Sequence, residues 1–254
     1  MTDPSRELFD NYQANHLRLA GKYFQSLNEV REFHLERIPR WFSRVPLGAR
    51  ILDAGFATGY QLGLMHSLGY KKLTGVEISE QLFKTARSNL PEEISLCCND
   101  VSDFLLSIPD ESFDVILFHH VLEHIPRDKT LSLLREFRRC LAPKGLLNLR
   151  VPNASCLLHG PMCFGDFTHV VHFNEISLTQ VLEQAGFGVD QVEIILRPPL
   201  LFWPWKHPLR ALKRLLNRIR WHLNDMLHTL IGLLADLQPR LRCSERDIEI
   251  LVKK

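Results

Sequence analysis

"ILDAGFATGYQL", residues 51–62, decides the fold of this chain. Ile51 and Leu52 begin an apolar, strand-like run that Asp53 stops, and from Tyr60 onward the pattern reads as a helix. Between them lies a bend of small residues. Gly55 and Gly59 remove side chains where the backbone must turn and approach a ligand, and Ala57 stands where a third glycine would serve, its methyl small enough to leave that approach open. A strand that enters a helix through such a bend belongs to an open parallel sheet, whose ligands sit outside the carboxyl ends of the strands.

The sequence on either side repeats this rhythm. Short strand-like runs occur at "ARILDAG" (49–55), "KLTGVEIS" (72–79), "ISLCCND" (94–100), "FDVILFHH" (113–120) and "GLLNLRVP" (145–152). Helical stretches separate them: Tyr60–Leu68 stopped by Gly69, Glu80–Asn89 stopped by Pro91, and Asp128–Leu141 stopped by "APKG". After residue 152 comes a long loop, 153–174, of a length more often functional than idle. Ser177 and Gln180 have the spacing of a capping box for a helix ending at Gly186, and "FGVDQVEIIL" (187–196) reads as a sixth strand. "RDIEILVKK" alternates as a seventh, which leaves 197–243 as an insertion. The fold class read from this is α/β: a Rossmann-like, doubly wound, mostly parallel seven-stranded sheet with its last strand antiparallel. Residues 1–45, aromatic and charged at helical spacing, form an N-terminal helical cover, and 46–254 form the main domain with the helical, amphipathic insertion 197–243 before the last strand.

Composition sets the bounds. The chain has 254 residues, 45% hydrophobic and 24% charged, and a net charge of +2, which gives no general electrostatic grip on nucleic acid. The six cysteines lack CxxC pairs and metal-finger spacing and read as reduced thiols. The opening "MTDPSRELFDNYQ" is too polar for a signal peptide, and no apolar stretch reaches the roughly 18 residues of a membrane span. The expected location is cytoplasmic, with peripheral contact at a membrane as a possibility raised by the insertion.

Three carboxylates point to an adenosine. Asp53 ends the first strand. Glu77 ends the second, 24 residues on, where a carboxylate can accept from both hydroxyls of a ribose. Asp100 ends the third, placed to accept from an exocyclic purine amine; each such residue also suits a helix N-cap. A pyrophosphate favours helix-terminal N–H groups without a neighbouring anion. Asp53, two residues before the first glycine, repels phosphate and favours an ammonium or sulfonium.

At these residues the chain resembles the class I S-adenosylmethionine-dependent methyltransferases, of the small-molecule and glycan branch. "LDAGFATG", "GVEIS" and "NDV" are similar to their first three motifs. "FDVILFHHVLEHI", "REFRRCLAPKGLLNLRVPN" and "THVVHFNEISLTQVLEQAGF" are similar to the later segments. The resemblance covers about 45–196 and the last strand, and Ala57 departs from the commoner glycine. It implies S-adenosyl-L-methionine as cofactor, with Asp53, Gly55, Ala57 and Gly59 around its methionine portion. It further implies Glu77 on the ribose, Ile78 against the adenine face, Asp100 and Val101 at the adenine edge, and the His119 backbone near the amino-acid end.

Methyl transfer to a hydroxyl needs a base, and histidine suits it near neutrality. "HHVLEH" offers His120 just past the fourth strand, and "FTHVVHF" offers His169 and His172 from the long loop. His120-x-x-Glu123-His124 also resembles the Glu-x-x-Glu-His ligand set of some metal-dependent methyltransferases, with histidine for the first glutamate and another histidine coming from downstream. The histidines are taken as base candidates and no metal is assigned. In the insertion, Leu209, Leu212, Leu216, Ile219, Leu223, Met226, Leu230 and Leu237 make a helical stripe. Arg210, Lys213, Arg214, Arg218 and Arg220 accompany it, after Trp203 and Trp205. Two readings fit: a lid or dimer helix packed on its own core, or contact through 203–237 with an anionic membrane or a partner protein.

The expected function is methyl transfer to a hydroxyl on a small molecule, sugar or lipid-linked glycan. The alternatives are a non-catalytic cofactor-binding partner subunit and a nucleotide-dependent oxidoreductase.

Overall fold

The computed structural model describes residues 40–156, 160, 163–196, 208–235 and 245–254. The N-terminal helical cover, apart from its last residues, lies outside them, as do Trp203 and Trp205.

Seven strands form one sheet: β1 (Arg50–Ala54), β2 (Lys72–Glu77), β3 (Ser95–Cys98), β4 (Phe113–His119), β5 (Leu141–Pro152), β6 (Val192–Ile194) and β7 (Asp247–Lys253). Their spatial order is β3-β2-β1-β4-β5-β7-β6. β1 pairs in parallel with β2 and β4, β4 with β5, and β7 runs antiparallel between β5 and β6. The connections diverge between β1 and β4, which puts a crevice at the carboxyl ends of those strands. The fold is the Rossmann-like one that the alternation of strands and helices implies.

The central strands read as continuous apolar runs because helices cover both faces. Side chains still alternate. Ile51, Val115 and Leu117 pack with Leu62, Met65 and Leu73, together with Trp41, Phe42 and Val45 from the 3-10 turn Arg40–Arg44. Leu52, Ile116 and Phe118 pack on the other face against Leu133, Leu134, Phe137 and Leu178.

Five helices connect the strands or follow them closely: α1 (Tyr60–Ser67), α2 (Glu80–Asn89), α3 (Val101–Leu106), α4 (Arg127–Cys140) and α5 (Glu175–Gln184). In α4 the buried Thr130, Leu133, Leu134, Phe137 and Cys140 recur every three or four residues, so one face lies on the sheet. Ser79 caps α2, its hydroxyl oxygen accepting from the Leu82 N–H.

Three boundaries differ from the sequence reading. The N-cap of α5 is Asn174, whose side chain accepts from the Ser177 N–H while the Ser177 hydroxyl accepts from the Asn174 N–H. The capping box thus lies three residues earlier than the Ser177–Gln180 spacing implied, since Asn caps as well as Ser does. β5 begins at Leu141, because "APKG" is a bulge within the ladder: Phe113 pairs with Leu141 and Val115 with Leu146, and Lys144 takes a φ of 66°. β6 shrinks to three residues, because the chain after Gly188 makes a 3-10 turn over Val189–Gln191.

Within the insertion, residues Pro208–Leu234 form one long helix, α6. Its leucine-rich stripe points outward: Leu212, Leu216, Ile219, Leu223, Met226 and Leu230 are all exposed, Met226 by 62%. The half-buried positions, Asn217, Arg218, Trp221, Asn224, Asp225, His228 and Gly232, recur at helical spacing on another face, where His228 Nε2 donates to the Ser155 carbonyl at 3.0 Å. The leucine-rich stripe lies away from that face, so the packed-lid reading does not describe it.

Candidate functional site

The glycine bend sits at the crevice. Gly55 N–H donates to the Val76 carbonyl (2.8 Å) and Gly59 N–H to the Phe56 carbonyl (2.8 Å), curling the chain over the end of β2. Gly55, Ala57 and Gly59 have φ of 78°, 50° and 77°. For the two glycines space matters as much as conformation. A Cβ on Gly55 would lie 2.3 Å from Val121 Cγ2, and one on Gly59 2.5 Å from Leu90 Cδ1. Ala57 carries its methyl in a left-handed conformation that an L-residue adopts at a cost. Ala57→Gly is therefore expected to leave stability unchanged or raise it by up to about 1 kcal/mol, the relief of strain being offset in part by the freer unfolded chain. Denaturant melts of the two proteins check this.

Glu77 organises the bend. It is buried, and its Oε2 accepts from the Ala57 N–H (2.9 Å) while Oε1 accepts from the Ser79 N–H (3.0 Å). A carboxylate has about four acceptor sites, so two remain for hydroxyl donors. Burial raises its pKa, against the pull of those N–H groups. Asp53, 3% exposed, is pushed up to about 7, first by burial and then by the Glu77 charge. Ile78 is half-buried beside it. Asp100 is the N-cap of α3, its Oδ1 accepting from the Ser102 N–H at 2.7 Å, and Val101 opens that helix, buried.

At the end of β4, His119 belongs to a polar chain. Gln61 Nε2 donates to its Nδ1 (2.6 Å), and its Nε2 donates to Asn148 Oδ1 (2.6 Å). Asn148 Nδ2 in turn donates to the Ile250 carbonyl (2.9 Å) and to Glu249 Oε1 (3.3 Å). This fixes the ring in its Nε2–H tautomer. Gln61, Asn148 and Glu249 escaped the reading of motifs. The signal for Asn148 and Glu249 was a polar residue between apolar neighbours in "LNL" and "IEI", and Gln61, in α1, carried none.

His120 takes a φ of 55°, and its N–H donates to the Arg150 carbonyl (2.7 Å). Its ring is 41% exposed, with Nδ1 3.5 Å from Glu123 Oε1 and Nε2 3.7 Å from Asp247 Oδ2. Arg150 Nε and Nη2 hold Asp247 from the neighbouring strand. His169 is 7% exposed and its Nδ1 donates to the Cys163 carbonyl (3.0 Å). His172 is exposed and its ring meets Phe164 edge-on. The fold therefore brings His120 and His169 to the same Glu123 oxygen, Oε1, and leaves His172 on the loop surface. His124, which burial holds below the usual imidazole pKa, completes the turn.

A family profile described as "Methyltransferase domain" matches residues 12–192. A probable S-adenosylmethionine-dependent methyltransferase of Mycolicibacterium smegmatis is 27% identical over 143 residues, 56% of this chain and 53% of that protein. A tRNA N(3)-cytidine methyltransferase of Gallus gallus is 29% identical over 118 residues, 39% of this chain and 31% of that protein. The chain thus spans about half, or less, of these curated relatives. Among solved structures, a SAM dependent methyltransferase from Archaeoglobus fulgidus has a TM-score of 0.64 at 19% identity, covering 96% of this chain and 99% of its own. Phosphoethanolamine N-methyltransferase 2 of Haemonchus contortus, solved with S-adenosyl-L-methionine, has a TM-score of 0.62 at 17% identity and covers 100% of this chain and 60% of its own. At such identities the structural likeness speaks for the fold. The profile spans the glycine bend, both buried carboxylates and the histidine turn, and by that match the chain belongs to the methyltransferase-domain family.

Proposed function

We propose that the protein uses S-adenosyl-L-methionine to methylate a hydroxyl on a small-molecule, sugar or lipid-linked glycan acceptor. The observation that carries the cofactor reading is the buried Asp53–Glu77 pair beside the glycine bend. Two carboxylates there disfavour a pyrophosphate, and the family membership removes the ground for an oxidoreductase. Glu77 takes the ribose hydroxyls with its remaining acceptor capacity. Ile78 and Val101 flank the adenine, Asp100 accepts at its edge, and Asp53 faces the cationic methionine end near His119.

The cofactor supplies an activated methyl. Attack by the acceptor oxygen forms the O–C bond as the C–S bond breaks, leaving a neutral thioether, and the hydroxyl proton passes to a base. His120 is that base in this reading. It is the exposed one of the two histidines on Glu123, and Asp247 and Glu123 stabilise the imidazolium it becomes.

Cofactor affinity depends on pH with a definite sign. Unliganded Asp53 holds a proton up to about pH 7. A cation bound beside it lowers that pKa, so binding releases a proton. Affinity then falls by up to about tenfold per unit as pH drops below about 7. Calorimetry in buffers of different ionisation enthalpy measures the released proton, and Asp53→Asn flattens the dependence. The same shift makes the unliganded protein lose stability as pH rises from about 4 to about 7, since the folded state keeps a proton that the unfolded chain has released.

The acceptor is presented at an anionic membrane surface. Support comes from α6, whose apolar stripe faces outward and which carries the exposed Arg220. No described helix is long and apolar enough to cross a membrane. The test incubates the protein with labelled S-adenosylmethionine and separated membrane and soluble extracts, alongside sedimentation with vesicles containing phosphatidylserine. Label in the membrane fraction as an alkali-stable ether, with vesicle binding that high salt weakens, supports this function. Label confined to RNA or protein overturns the acceptor class, and a lack of vesicle binding overturns the membrane. Pull-down of one stoichiometric protein through α6 would point to the partner-subunit reading instead.

A further inference from the structure

The geometry points to a site for one divalent transition-metal ion, held by Glu123, His124 and His169. One ligand atom from each lies within 4.8 Å of the others. Glu123 stands in the 3-10 turn Leu122–His124, is 2% exposed, and both its carboxylate oxygens are buried without a hydrogen-bond donor. A carboxylate in that state needs a counter-charge. The nearest basic nitrogens do not supply it as hydrogen bonds, for His120 Nδ1 is 3.5 Å and His169 Nε2 3.9 Å from Oε1.

Both flanking rings are set as metal ligands are. His169 Nδ1 faces the Cys163 carbonyl at 3.0 Å, and His124 Nδ1 faces the Thr168 carbonyl at 3.2 Å with Thr168 Oγ1 at 2.9 Å. A carbonyl only accepts, so Nδ1 carries the proton in each ring and the lone pair resides on Nε2. The two rings meet edge-on at 4.8 Å. The loop that delivers His169 is tied to the same turn, the Glu123 carbonyl accepting from the N–H groups of Val170 (2.9 Å) and Val171 (3.1 Å). A tetrahedral ion with bonds of about 2.0–2.1 Å sets its ligand atoms roughly 3.3 Å apart. The Glu123–His169 pair at 3.9 Å then closes by less than an ångström, and the widest of the three separations, within 4.8 Å, by up to about 1.5 Å.

Two imidazole nitrogens and one carboxylate favour zinc, cobalt, nickel or ferrous iron over magnesium and calcium, which take oxygen ligands. Three protein ligands leave a coordination position open. The turn abuts the glycine bend, where Val121 fills the space a Gly55 side chain would need. The triad leaves out His120 of the local spacing His120-x-x-Glu123-His124 and takes as its downstream histidine His169, from a loop 45 residues beyond His124.

The inference does not depend on the acceptor or on methyl transfer, so its test reads metal directly. The full chain is stripped by dialysis against chelator and titrated with Co(II), followed by its visible absorption, then with Zn(II) in competition. One equivalent is expected, with a melting temperature raised by zinc and unchanged by magnesium. Glu123→Gln and His169→Asn each lower Co(II) affinity by at least tenfold. His66→Ala, at a distant surface histidine, leaves it unchanged. Retained S-adenosylmethionine binding verifies the fold of each variant; should Glu123→Gln not fold, the wild-type stoichiometry and His169→Asn decide. No saturable Co(II) or Zn(II) binding by the stripped wild type overturns the site, as does binding that survives in the folded variants.

Discussion

His120→Asn is expected to lower turnover by about two to four orders of magnitude at saturating cofactor, with S-adenosylmethionine affinity unchanged. Asparagine is the substitution of choice because His120 holds a φ of 55°, a region that asparagine enters readily and alanine does not. The backbone N–H to the Arg150 carbonyl is then kept, and only the proton acceptor is lost. Glu123 and Asp247 face its two nitrogens at 3.5 and 3.7 Å. Removal of a base of this kind shows as a fall in kcat with KM for the acceptor little changed. Turnover within a factor of three of wild type would transfer the proton to another group or to water.

Among the described glycines, Gly55→Ala brings a new Cβ into the shortest contact. Its Cβ would sit 2.3 Å from Val121 Cγ2, with the backbone at a φ of 78°. The left-handed conformation costs about 1–2 kcal/mol, and the overlap adds about 1–3 kcal/mol of overpacking. Val121 cannot withdraw freely, because it precedes the turn that carries Glu123 and His124. We expect a loss of about 2–4 kcal/mol in denaturant melts, and cofactor affinity lower by at least tenfold because the bend and the histidine turn must separate. A melt within about 0.5 kcal/mol of wild type would mean that the contact relaxes without strain.

The architecture was open to the sequence because its signals are local. Strand, glycine bend and helix follow one another within residues 51–62, and the carboxylates at strand ends mark one edge of the sheet. Boundaries were lost where two residue types serve one role, as at Asn174, or where turn-forming residues sit inside a ladder, as in the "APKG" bulge. The candidate site was legible in proportion to sequence distance. Asp53, Gly55, Glu77 and Asp100 come from motifs that each span a few residues. The partners of His119 come from α1, β5 and β7, and the third member of the Glu123 cluster comes from the long loop. No periodicity encodes such meetings. The direction of α6 was hidden for another reason: a stripe gives its own width but not which way it faces.

The strand β7 is threaded between β5 and β6 although it follows both in the chain. During synthesis the edge of β5 therefore waits uncovered until residues 247–253 leave the ribosome, and the three residues of β6 have nothing to join before then. Glu249, on that late strand, also terminates the relay through Asn148 that orients His119. Closure of the sheet by β7 thus also completes the support behind Asn148, the residue on which the His119 ring rests.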